Sequence, residues 1–105
     1  MKKNWFHILV MVAQGPCHGA EIQRRVSDAT DGSVRLYPVT LYRSLDELAG
    51  QGLIRETADP EPDSHNEVRR CYAITAAGRR ALAAEADALQ AAARQAHAVL
   101  KGGRA

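Results

Sequence analysis

Trp5, Ile8, Leu9 and Val12 recur at the three- and four-residue spacing of one helix face. Phe6, Val10, Met11 and Ala13 make the rest of this first helix apolar too. A helix apolar nearly all round must be covered on both sides, so part of the cover is expected from another subunit. Gly15-Pro16 stops it. A second helix follows from about His18 to Ala29, with Ile22 and Val26 inward and Glu21, Arg24 and Arg25 outward. Asp31-Gly32 ends it, because glycine takes the left-handed conformation that helix C-caps favour. Ser33 to Tyr37 reads as a short extended piece. Pro38 suits the first turn of a third helix, where its missing N–H costs nothing. Leu41, Leu45 and Leu48 give that helix a core stripe, and Gly50 and Gly52 bound its end.

Leu53 to Thr57 is a strand candidate. Asp59 to Asn66, with two prolines among turn-forming residues, is a loop. Val68 to Ile74 returns as a strand, with Val68, Arg70, Tyr72 and Ile74 on one face and Arg69, Cys71 and Ala73 on the other. Thr75 is a good N-cap for a final helix reaching about Leu100, which at 1.5 Å per residue is about 37 Å long. Leu82, Ala86, Leu89, Ala93, Ala96 and Leu100 are spaced 4-3-4-3-4 along it. This is a heptad seam whose alanines permit close approach of a partner helix. Together with the spare apolar surface of the first helix, it favours a contact between chains over a helix folded back on its own domain.

Three helices, a strand, a loop and a strand make a winged helix-turn-helix with a long helix appended: mainly α with a small β-hairpin. The third helix is then the one shaped for a DNA major groove, and the hairpin is the wing. Residues 1–75 form the winged domain with its tip at 59–67, residues 76–101 the appended helix, and 102–105 a tail. At 105 residues, one core is the expectation. The longest apolar run, Ile8 to Ala13, is far short of the roughly 20 residues that cross a bilayer, and no cleavable leader is expected. Cys17 and Cys71 stand far apart and outside any CxxC pair, which fits a reducing cytoplasm and needs no cofactor.

Charge refines this picture. Residues 1–58 carry seven Lys/Arg against six Asp/Glu, residues 59–67 none against four, and residues 68–105 seven against two. A basic block thus follows an acidic loop. A basic block of this kind suits phosphates or serves as a solvated helix surface. No Ser/His/Asp or Cys/His arrangement, Gly-rich phosphate loop or apolar carboxylate pair supports catalysis.

Four motifs occur in order: Gly15-Pro16-Cys17-His18-Gly19-Ala20-Glu21-Ile22, Tyr37-Pro38-Val39-Thr40-Leu41-Tyr42, Gly52-Leu53-Ile54, and Arg69-Arg70-Cys71-Tyr72-Ala73-Ile74-Thr75 with Gly78. In order and separation they resemble the PadR family of bacterial transcriptional regulators, over nearly the whole chain. The resemblance implies a homodimeric winged-helix repressor on a palindromic operator, of the short form with a single C-terminal dimerisation helix, and a possible small-molecule effector. The chain departs from the family pattern at Val39, where glycine is usual, at Tyr37, where a capping serine is usual, and at Ala20 and Cys71, where tyrosines are common. An acidic wing tip cannot favour a phosphate-lined minor groove, so the wing is expected to contribute through its base.

The DNA-contact candidates are therefore Pro38, Val39, Thr40, Tyr42 and Arg43 on the third helix and Arg69 and Arg70 at the wing base, of which at most one points squarely at DNA. The dimer candidates are Trp5 and the seam Leu82, Ala86, Leu89, Ala93, Ala96 and Leu100; for Trp5, plain core is the competing reading. His18 and Glu21 read as a brace at the start of the second helix. Two other functions stay open: a winged-helix module that binds protein rather than DNA, suggested by the acidic wing, and a metal-responsive sensor using His7, Cys17, His18 and Cys71.

Overall fold

The computed structural model describes residues 1–58 and 70–102. Within them the chain forms α1 (Lys3–Val12), β1 (Cys17–His18), α2 (Gly19–Ala29), α3 (Pro38–Gly50), β2 (Ile54–Thr57), β3 (Cys71–Ile74) and α4 (Ala76–Gly102). The Asp59 to Asn66 loop, the start of the returning strand and the end of the tail lie outside the described residues. The expected winged helix-turn-helix with a long final helix is what folds.

One expectation is corrected. The wing is a three-stranded antiparallel sheet, β1-β3-β2, because Cys17 and His18 pair with Tyr72 and Cys71. Two residues before a helix carry too little alternation to read as a strand. β3 is therefore the central strand rather than one arm of a two-stranded hairpin, and Cys71, Tyr72 and Ala73 are all buried. Trp5, for which plain core and a subunit contact were both open, is 9% exposed within the single chain and belongs to its core. α1 packs against α2, α3, β3 and the start of α4. One chain thus covers most of the surface that composition alone assigned in part to another subunit.

The core joins Ile8, Leu9 and Val12 to Ile22, Val26, Leu36, Leu41, Leu45, Leu48, Ile54 and Tyr72. Between α2 and α3 the chain reverses through Asp31 (φ 52°) and Gly32 (φ 77°). Thr30 fastens this turn: its Oγ1 donates to the Val26 carbonyl at 2.8 Å and accepts the Val34 N–H at 3.1 Å. One hydroxyl thus ties the end of α2 to the strand-like run into α3, which sets the angle at which α3 leaves the core. Ser33 to Tyr37 pairs with no strand.

α4 begins at a second clamp. Thr75 Oγ1 accepts the Gly78 N–H at 3.0 Å, the expected N-cap, and donates to the Gly52 carbonyl at 2.6 Å. The Thr75 N–H reaches the Leu53 carbonyl at 3.1 Å. A Cβ on Gly78 would overlap that same Leu53 oxygen, so only glycine lets α4 lie this close to the corner between α3 and β2. From this corner α4 runs along α1 as far as Leu82 and Glu85 and then stands clear of the core, and the molecule is 62 Å long against 28 and 21 Å across.

Candidate nucleic-acid interface

Leu41, Ser44, Leu45 and Leu48 bury one side of α3. At about 100° per residue, the line opposite them begins at Val39 and continues through Arg43 and Asp46. Pro38, Thr40 and Tyr42 are exposed beside it. All five α3 candidates are thus at the surface, but Val39, not Thr40 or Tyr42, stands furthest from the core, at 72% exposure. Tyr42 is a mixed case at 42%. Its phenol lies over Gly19, where a Cβ would come within 3.0 Å of the hydroxyl oxygen, so it braces α3 against the start of α2 while its edge remains accessible.

The first turn of α3 is open. Tyr37 precedes it with an extended backbone and gives no side-chain cap, and Pro38 occupies the first helical position. The Val39 and Thr40 N–H groups therefore point outward with the positive end of the helix dipole, an arrangement that attracts phosphate. Side-chain charge works the other way: α3 holds Arg43 against Asp46 and Glu47. Lys2 meets Glu47 at 3.2 Å and offsets one carboxylate. Among the described residues Arg43 has no ion-pair partner, which leaves its guanidinium fork open. Any anion is drawn to the first turn and Arg43, and repelled further along.

Two more cations, Arg24 and Arg35, flank that turn, and the sequence reading missed them as a group. Arg24 and Arg25 share one carboxylate, Glu21, at 3.9 and 2.9 Å; this is the brace expected of Glu21, made along α2 itself. Arg35 lies over the Asp31-Gly32 turn, its Nε donating to the Gly32 carbonyl at 3.3 Å. Arg24 and Arg35 line, with Asp28, Gln23, Ser27, Leu36 and Tyr37, an open groove of about 260 Å³ that runs to the start of α3, where Asp28 offsets part of their charge. Tyr37 is 65% exposed, although as a replacement for a capping serine it carried no obvious role. Position relative to a turn, not spacing along the chain, assembles this set.

At the wing base Arg70 meets Glu56 across the hairpin at 3.3 Å and remains largely exposed. Arg69 lies outside the described residues. The cysteines do not form a site: direct pairing of Cys17 with Tyr72 and of Cys71 with His18 puts the two thiols on opposite faces of the ribbon. Burial pushes the Cys17 thiol up from its usual range, which disfavours the thiolate a metal needs. Among the described residues no three His, Cys, Asp or Glu side chains gather to hold a metal ion, and no helix is long and apolar enough to cross a membrane.

On α4 the seam divides. Leu82 is partly buried against its own core. Ala86, Leu89, Ala93, Ala96 and Leu100 are exposed, with Leu89 at 45% and Leu100 at 76%. The last tie to the domain is the Met1 amino group to Glu85 at 3.7 Å.

A family model described as the transcriptional regulator PadR-like family matches residues 8–84. Among solved structures, the chain is similar to a PadR family transcription regulator from hypervirulent Clostridium difficile R20291 (21% identity, 94% of this chain and 99% of that one, TM-score 0.79). It is similar to a PadR-like transcriptional regulator from Bacillus cereus (20%, 91% and 89%, TM-score 0.76). It also resembles Bacillus subtilis PadR, solved in complex with operator DNA (17%, 77% and 45%, TM-score 0.65). At these identities the likeness is one of fold. No curated protein matches the sequence.

Proposed function

The chain belongs to the PadR-like family of transcriptional regulators, and from that premise we propose that it acts in the cytoplasm as a homodimeric repressor of a palindromic operator, released by a small-molecule effector. The observation that carries this reading is the pairing of two unsatisfied surfaces on one rigid frame. The open first turn of α3, with Val39, Thr40 and Arg43 outward, suits a major groove, and the bare ridge from Ala86 to Leu100 suits a second copy. A two-fold axis along that ridge supplies a second α3, which successive major grooves require at about 34–36 Å.

The roles divide by chemistry. The Val39 and Thr40 amides, the Thr40 hydroxyl and the Tyr42 phenol hold phosphates and fix register. Arg43 has the fork that reads guanine O6 and N7. Arg70, with Arg69, contributes from the wing base, and its pairing with Glu56 makes that contribution modest. The Thr75–Gly78 clamp supports the effector step. Because α4 is hydrogen-bonded to the corner that ends α3, a change in the angle between two α4 helices turns the two α3 helices with them. A ligand favouring the mismatched angle then depletes the population that fits the operator.

Binding to the chain's own upstream DNA, measured by gel shift at two salt concentrations, tests this. Sequence-selective binding that weakens steeply with salt is expected. Thr40→Ala should lower affinity about tenfold across two half-sites, at about 0.7 kcal/mol each. One observation favours a different reading, a winged-helix module that binds protein: the excess of carboxylate over cation on α3. No binding to that DNA at either salt concentration would decide for it.

A further inference from the structure

Val39 has no partner among the described residues and stands on the outermost line of α3. A β-branched side chain is a poor choice for an exposed helix position, since it loses rotamer freedom and gains no burial. It is also not alone. Tyr37 and Pro38 before it and Tyr42 one turn on are exposed as well, so the leading end of α3 carries an apolar tip. The inward positions Leu41, Leu45 and Leu48 are already filled, and no inward rotation of α3 could bury Val39 without expelling them.

Major-groove edges offer donors and acceptors at every base pair but only one apolar group, the C5-methyl of thymine. The N-terminal residues of a recognition helix are the ones that face base edges. A side chain with two methyls and no polar atom meets that methyl favourably. Against cytosine it would desolvate the N4 amino group with nothing in return. We propose that Val39 is a specificity-determining residue that selects a thymine in each half-site by methyl contact. This rests on the operator reading above and adds to it which base the first turn chooses.

The test begins with selection of bound sequences from a random duplex pool by the full-length chain. Each thymine of the enriched half-site is then replaced singly by deoxyuridine, which removes the methyl and leaves base pairing intact. At one thymine the wild-type chain should lose about fourfold in affinity per half-site, the worth of one buried methyl. Val39→Ser, which keeps the helix, should retain less than about half of that sensitivity and should relax the enriched base at that position. Circular dichroism confirms that this variant is folded. An enriched half-site without thymine, or an equal uracil penalty in Val39→Ser, overturns the inference while leaving operator binding standing. Failure of the pool to enrich any sequence overturns the operator reading itself, and the inference with it.

Discussion

Gly78→Ala is expected to destabilise the protein by about 3 kcal/mol, although alanine is the better helix former by about 1 kcal/mol. Gly78 sits in the first turn of α4, where the new methyl would collide with the Leu53 backbone oxygen and come within 2.8 Å of Ile74 Cγ1. A carbonyl cannot swing aside as a side chain can, so α4 must lift from the corner between α3 and β2. Overpacking of this kind costs about 1–3 kcal/mol. Lifting also strains the Thr75 cap and the Thr75 N–H to Leu53 bond, and a lost N-cap costs about 1 kcal/mol more. In urea, at a slope of about 2 kcal/mol per molar, the midpoint should fall by about 1.5 M. The comparison needs equal protein concentrations, because the proposed dimer would add to apparent stability. A midpoint unchanged or raised would mean that propensity decides and that the clamp is not where α4 is held. Thr75→Val, which removes the hydroxyl but adds no clash, should show the smaller loss of about 1 kcal/mol.

Leu89→Glu is expected to convert a dimer into a monomer and to reduce operator affinity by at least about a hundredfold. Leu89 is the largest side chain in the middle of the exposed ridge, between Ala86 and Ala93. In a seam between two copies it meets its equivalent across the two-fold axis, and two glutamates there would be like charges taken out of water. Since Leu89 contacts solvent in the single chain, the winged domain itself has no reason to unfold. Light scattering gives the mass, and gel shift gives the affinity. The loss in binding follows from linkage: tethering a second half-site contact is worth about 10²–10⁴ in affinity, and a monomer forfeits it. A stable dimer with unchanged operator affinity would sink both the ridge as an interface and the coupling of α4 to α3.

Helix and strand identities were largely legible in the pattern of residues. The stripes Leu41-Leu45-Leu48 and Ile22-Val26 face inward as their spacing requires. Pro38 opens α3, and Thr75 caps α4 through its hydroxyl. The ordered motifs pointed to the family, and the heptad spacing to a helix with a bare ridge. Burial was less legible. Nothing in the composition of α1 separates cover by α2, β3 and α4 from cover by a second chain, so the sequence left two readings of Trp5 where the folded chain buries it in its own core. Nor does the seam's spacing tell Leu82, partly buried against its own core, from Leu89, which is exposed; only distance from the domain separates them.

What the amino-acid order determined by itself is local: periodicity, caps and turn residues act over a few positions, and their chemistry is written in those positions. What only the tertiary structure decided is which groups share a place. Pairing of Cys17 and His18 with β3 made the wing three-stranded and separated the two cysteines. The turn at Asp31-Gly32 brought Arg24 and Arg35 beside the start of α3. The approach of α4 to Leu53 turned one glycine into a requirement. Each depends on contacts between residues distant in the chain, whose energies exist only once the elements have packed.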